Sequence, residues 1–197
     1  MIEAELKARV PDPEALRTML TAAAGEPERA TYADAYFDRV GELVSTGREL
    51  RVRTITTAAG ERTVLTYKGA VVDEETGSKP ESETVVDDRD QVVAILEGLD
   101  YGSVIEFTKH CENYRLATVT GRKVLATVVE VPELDGVFLE AETMVDDERD
   151  MPGALDDLRA LLLDLDLGPE TLTTELYTEA VRAQRFMWKP GDVVWED

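Results

Sequence analysis

Residues 2–9 alternate strictly: Ile2, Ala4, Leu6 and Ala8 share one face of an extended chain, and Glu3, Glu5, Lys7 and Arg9 share the other. A period of two over eight residues predicts a strand. The period then changes. Asp12-Pro13-Glu14 supplies an N-cap, an N1 proline and a first-turn acid. Ala15, Leu16, Met19 and Leu20 recur at helical spacing, and Gly25 stands where a C-terminal cap belongs. Further strands are predicted over 35–39, 49–56 and 62–68, the last two joined through Ala59-Gly60 as a hairpin. The acidic, turn-rich stretch 72–79 predicts a mobile loop. Beyond it, 81–86 reads as a strand and 88–99 as a second helix with Val92, Val93, Ile95, Leu96 and Leu99 on its apolar stripe. Strand periods return at 104–109, 112–118, 123–131 and 137–143. A third helix is predicted from about Pro152 to Leu167, closed by Gly168-Pro169, and a fourth from about Leu172 to Arg185.

Strand, turn, helix and strands thus occur twice, from Ile2 and again from Glu81, which hints at an internal duplication with slight identity between the halves. About eight mostly antiparallel strands with helices outside fit a closed barrel, because closure removes exposed edges. The expected fold class is α+β, a closed antiparallel β-barrel or tunnel with helices packed around it. A length of 197 residues suits one domain with one good core.

Charge changes the picture. The chain has 42 acidic and 21 basic residues, a net charge of −21, and only six lysines: Lys7, Lys68, Lys79, Lys109, Lys123 and Lys189. Such acidity repels nucleic acid and anionic membrane, so neither is expected as a partner. Scarce lysine with abundant acid looks like adaptation to high salt, as in a halophilic prokaryote and an archaeon in particular. There screening suppresses self-repulsion, and most carboxylates are solvated surface. No apolar run approaches the ~20 residues that span a bilayer, and no secretory pattern opens the chain, so a cytoplasmic location is expected. The single cysteine, Cys111, leaves no internal disulfide and no thiolate cluster.

A second pattern rises above that background. Glu3, Glu5 and Lys7 recur at every second position, as do Arg51 and Arg53, Glu81 and Glu83, and Glu140 and Glu142. Charges in water on one amphipathic strand would explain any one of these. Like signs, however, fall together, Glu with Glu and Arg with Arg, whereas a surface selected for solubility mixes them. Like charges ~7 Å apart cost roughly 2 kcal/mol at an effective dielectric near 20. Brine screens that repulsion on an outer face; inside a tunnel only counter-charges offset it. A divalent metal together with a polyphosphate supplies both counter-charges. Glutamate oxygens suit Mg2+ or Mn2+, and Arg and Lys clamp phosphates. No Gly-rich GK[ST] loop is present.

Glu3-Ala4-Glu5-Leu6-Lys7 resembles the ExExK signature that opens CYTH-domain proteins, the triphosphate tunnel metalloenzymes. That family includes class IV adenylyl cyclases, thiamine triphosphatases and inorganic triphosphatases. The resemblance continues in order through Tyr36-Phe37-Asp38, Leu50-Arg51-Val52-Arg53, Leu65-Thr66-Tyr67-Lys68-Gly69, Ser82-Glu83 and Phe138-Leu139-Glu140-Ala141-Glu142. It implies a tunnel domain over 1–185, with 186–197 as a tail carrying Trp188 and Trp195, through which a homodimer could form. By position, Glu3, Glu5, Glu140 and Glu142 would hold metal, with Glu81 or Glu83 helping. Lys7, Arg51, Arg53, Lys68 and Lys109 would contact the triphosphate, and Lys7 and Glu5 would be catalytic. The overall likeness to the class IV adenylyl cyclases implies conversion of ATP to cyclic AMP and pyrophosphate. A hydrolytic member would use the same site on tripolyphosphate, thiamine triphosphate or a nucleoside triphosphate.

The chain also departs from the family pattern. In Lys109-His110-Cys111-Glu112-Asn113-Tyr114 an expected arginine is Cys111, and an expected carboxylate falls on Val129 or Thr127, with Glu130 adjacent. Glu175-Leu176-Tyr177 stands for a C-terminal basic or Ser-Tyr motif. These losses suggest an alternative, a non-catalytic module that binds polyphosphate or nucleotide. The sole histidine, His110, is expected on the opposite face from Lys109 and Cys111, in a structural role.

Overall fold

The computed structural model describes residues 2–73 and 76–187. Among them are eight strands: β1 (Ile2–Val10), β2 (Glu28–Asp38), β3 (Glu49–Thr57), β4 (Gly60–Lys68), β5 (Lys79–Val86), β6 (Gly102–Ala117), β7 (Lys123–Glu130) and β8 (Val137–Val145). They close into one antiparallel barrel in the order β1-β5-β4-β3-β2-β6-β7-β8. Four α-helices lie outside it: α1 (Pro13–Ala24), α2 (Arg89–Gly98), α3 (Met151–Asp164) and α4 (Tyr177–Met187). Exchanging the first four strands with the last four maps the ring onto itself, the topology expected of a duplicated β-α-β-β-β unit.

The barrel turns the usual alternation inside out. The apolar face of β1 (Ile2, Ala4, Leu6, Ala8) points outward and packs with Leu16 and Leu20 of α1 and Leu155, Leu158 and Leu162 of α3. Each large side chain buried there contributes roughly 1.5–3 kcal/mol. The charged face is thereby committed to the bore. Local signals set these helices: Asp12 Oδ1 accepts from the Ala15 amide at 3.0 Å, and Gly25 ends α1 at φ +81°.

Several expected boundaries move, each for a tertiary reason. The strands expected at 104–109 and 112–118 are one strand, because Thr108 to Asn113 pair continuously with β2 on one side while His110 to Ala117 pair with β7 on the other. β2 begins at Glu28 instead of 35, its first half paired to β6 and β3. The third helix stops at Asp164: Asp166 turns left-handed at φ +59°, and the Leu167 amide reaches back to the Leu162 carbonyl at 2.9 Å. Leu165 and Leu167 stay in the core, so the apolar pattern outruns the helix. The fourth helix starts at Tyr177 instead of Leu172, because the preceding segment runs beside β1, where Leu172 bridges Ala8 and the Thr173 amide donates to the Lys7 carbonyl at 2.9 Å. The expected loop 72–79 is in part a built turn. The Val72 amide donates to the Ser78 carbonyl, Asp73 Oδ1 accepts from the Thr76 amide, and Ser78 and Lys79 are buried. Residues 74–75 and the 188–197 segment with both tryptophans lie outside the described residues. No helix among the described residues is long and apolar enough to cross a membrane.

Candidate active site

All eleven charged residues expected at the site, nine from the strand pattern and Lys68 and Lys109 from the family resemblance, line one cavity of about 250 Å³ inside the barrel. Register explains the convergence. Glu5 pairs with Glu142 and Lys7 with Glu140 across β1 and β8, Lys68 with Glu81 across β4 and β5, Arg51 with Thr66 across β3 and β4, and Arg53 with Asp34 across β2 and β3. Like signs sit at successive inward positions of most strands, and opposite signs meet across several neighbours. The bore carries seven basic and seven acidic side chains, including four of the chain's six lysines, although the whole chain is at −21. A solvated acidic surface would not collect the scarce cations in this way.

The cations are held to different degrees. Arg53 bonds both oxygens of Asp34, at 2.6 and 2.8 Å, with its guanidinium 4.5 Å over the Tyr32 ring. Burial opposes the charge on Asp34, but Arg53 outweighs it and holds the carboxyl well below the usual range. Lys68 contacts Glu3 and lies 3.2 Å from Glu81, and Lys79 contacts Glu49. Arg51 is different: Nη2 donates to Thr66 Oγ1 at 3.3 Å, while the buried Nε has no hydrogen-bond partner. A buried donor left unmade is costly and marks a place for an acceptor. Lys109, 4% exposed, lies 3.5 Å from Glu140, and Lys7 lies 3.9 Å from the same carboxylate while donating to the Glu175 carbonyl at 3.0 Å.

The acids divide by surroundings. Burial would raise Glu140, but Lys109, Lys7 and Arg53 bring it down to about 2. Burial together with neighbouring carboxylates raises its neighbours instead: Glu140 is the main one acting on Glu5, and Glu3 and Glu5 act on Glu142. Glu81 Oε2 is buried beside Lys68 without a hydrogen bond of good geometry, and Glu83, at the exposed rim, accepts from Thr66 Oγ1 at 2.8 Å. No three ligating side chains among the described residues already stand in metal-binding geometry. Glu3 and Glu140 are turned toward lysines. The donor set nevertheless fits a hard divalent cation: the acids are all carboxylates, and two of them repel each other in register with no cation closing on either.

The structure adds residues that the sequence reading passed over. Asp34 binds Arg53 behind the cavity wall, Glu49 and Lys79 bind each other in the lining, and each has the parity of a recognised neighbour: 34 with 36, 49 with 51, and 79 with 81. Tyr32 and Tyr177 supply the ring faces under the cations. Cys111 and Val129 pair across β6 and β7 inside an apolar cluster with Phe107 and Phe138, where burial pushes the thiol up to about 12. Thr127 Oγ1 donates to Asn113 Oδ1 at 3.0 Å, and Glu130 lies on the outer wall bonded to Arg17, so β7 sends no carboxylate into the bore. His110 is exposed outside, opposite Lys109 and Cys111, as alternation predicts.

A closed eight-stranded tunnel lined by paired charges is the class of protein that fold and cavity define. Within it, the chain belongs to the CYTH domain family, whose profile matches residues 1–177. No curated protein matches it in sequence. Among solved structures it is similar to the PH1819 protein of Pyrococcus horikoshii, with 26% identity and a TM-score of 0.81 over 93% of this chain and 99% of that one. It is also similar in fold to a candidate adenylate cyclase of Vibrio parahaemolyticus, with 21% identity and a TM-score of 0.76 over 93% and 98% of the two chains. A third likeness, with 21% identity and a TM-score of 0.63 over 93% and 96%, is to a Hippeastrum adenylyl cyclase candidate whose dominant activity is that of a triphosphatase.

Proposed function

We propose that this chain is a metal-dependent enzyme acting on a triphosphate held in the tunnel. It either cyclises ATP to cyclic AMP and pyrophosphate, as class IV adenylyl cyclases do, or hydrolyses tripolyphosphate, thiamine triphosphate or a nucleoside triphosphate. The observation that carries this reading is the buried, unpartnered Nε of Arg51 in a bore that gathers a third of the chain's basic residues. The names of the Vibrio and Hippeastrum neighbours lend support to both chemistries.

In this reading Arg51, Arg53, Lys68, Lys109 and Lys7 bind the phosphates, the arginines by paired donors and the lysines as point charges. Glu3, Glu5, Glu140 and Glu142, with Glu81 or Glu83, would hold Mg2+ or Mn2+. Such a cation neutralises phosphate charge and makes the attacking hydroxyl or water more acidic. Lys7 and Glu5, neighbouring inward positions of β1, serve the reacting phosphate: the ammonium stabilises charge on the leaving oxygen, and the carboxylate orients the attacking group. Burial in the bore strengthens each of these interactions.

A second reading, a polyphosphate-binding module without turnover, is favoured by the apolar contact of Cys111 with Val129. Incubation with Mn2+ and ATP, tripolyphosphate or thiamine triphosphate in high salt, followed by product chromatography, separates the two. Cyclic AMP with pyrophosphate, or free phosphate, is the expected result. Raised melting temperature with no product supports the binding module. Neither product nor stabilisation from any of the three contradicts both readings.

A further inference from the structure

The four tunnel lysines are of two kinds. Lys68 is in tight contact with Glu3, and Lys79 with Glu49. Lys7 and Lys109 flank Glu140 at longer range, 3.9 and 3.5 Å, the second a hydrogen bond at its limit of length. Both ammonium groups also lie over one ring: Lys7 Nζ is 4.3 Å and Lys109 Nζ 4.9 Å from the centroid of Tyr177. Tyr177 is the first residue of α4 and is only 6% exposed. Its ring is fixed edge-on by Phe138 at 5.2 Å and Phe107 at 6.5 Å. The approach to the ring is fixed as well, since the Lys7 carbonyl accepts from the Thr173 amide and Lys7 Nζ donates to the Glu175 carbonyl. The segment that delivers Tyr177 therefore grips Lys7 at both ends.

In a confined bore rich in carboxylate, an ammonium with nothing to stop it closes on the nearest acid, as Lys68 and Lys79 do. A ring face attracts a cation without accepting its hydrogen bonds, so the donors remain free for an incoming anion. Resting on the triphosphate reading above, we propose that Tyr177 is a positioning residue. Its ring competes with Glu140 for Lys7 and Lys109, so that neither ammonium closes tightly on the carboxylate and both keep donors available to phosphate. The tunnel's affinity for its anion thus depends on an aromatic side chain supplied by α4.

Calorimetric titration of the full chain with tripolyphosphate, for wild type, Tyr177→Phe and Tyr177→Leu, tests this. The melting temperature without ligand reports the fold of each variant. Tyr177→Phe keeps the ring face and should bind within about twofold of wild type. Tyr177→Leu keeps apolar bulk but loses two cation–π contacts, and should bind about tenfold more weakly. Leucine binding as tightly as phenylalanine overturns the proposal, as does phenylalanine losing as much as leucine, which would assign the effect to the hydroxyl. A folded wild type that binds no tripolyphosphate removes the triphosphate reading itself. If Tyr177→Leu does not fold, proton NMR of wild type decides: the Hε protons of two lysines should be shifted upfield by the ring, and unshifted signals for all six contradict the proposal.

Discussion

Two arginines two residues apart on β3 divide the work of the bore. Arg53 is locked to both oxygens of Asp34, whereas Arg51 keeps a buried donor unused. Asp34→Asn should therefore strand a buried guanidinium and destabilise the protein by about 3–5 kcal/mol, read by chemical denaturation. Glu140 allows a pH test. Its carboxyl falls from 4.5 in the unfolded chain to about 2 in the fold, so its stabilisation is full above pH 4.5 and is lost as pH falls through about 2. Glu140→Gln should flatten the stability profile between those values, measured by denaturation at a series of pH values. At this scale the recognised charges were legible by parity alone: Glu3 with Glu5, Arg51 with Arg53, Glu140 with Glu142. Asp34, Glu49 and Lys79 have the same parity. They were obscured because each carries the sign opposite to the charges it serves or lies in a stretch that reads as a loop.

At the scale of elements, alternation predicted strands well but could not say which face points inward. On β1 the apolar face was free to line a core or to sit beneath helices, and only the packing of α1 and α3 decides for the latter. Leu158 of α3 is fully buried against that face, so Leu158→Ala should cost about 2–5 kcal/mol while leaving the bore's charges in place. Equilibrium unfolding checks the first part, and retained stabilisation by tripolyphosphate checks the second. The element ends were the least legible. Continuous pairing on both sides carries β6 through His110 and Cys111, where the local pattern breaks. Attachment of Leu172 and Thr173 to β1 delays α4 to Tyr177, which is what brings that ring to the lysines. Neither contact is encoded within a local window of sequence.

At the scale of the molecule, a nearly neutral interior sits inside a chain of net charge −21. The self-repulsion therefore belongs mostly to the outer surface, where salt reaches it. Raising salt from about 0.1 M to about 1 M shortens the screening length from ~10 Å to ~3 Å, and the melting temperature should rise across that range. A flat or falling trend in a thermal scan would contradict that assignment of charge. The central claim is that the enclosed cations take up a triphosphate. Its most direct measurement is calorimetric titration of tripolyphosphate with Mn2+ into wild type and Arg51→Met. Removing a guanidinium whose buried Nε is unpartnered should leave the unliganded fold at least as stable while weakening binding by about 100-fold, from one anion per chain in wild type. Equal affinity in the two proteins would mean that the anion binds outside the tunnel, and would contradict the account.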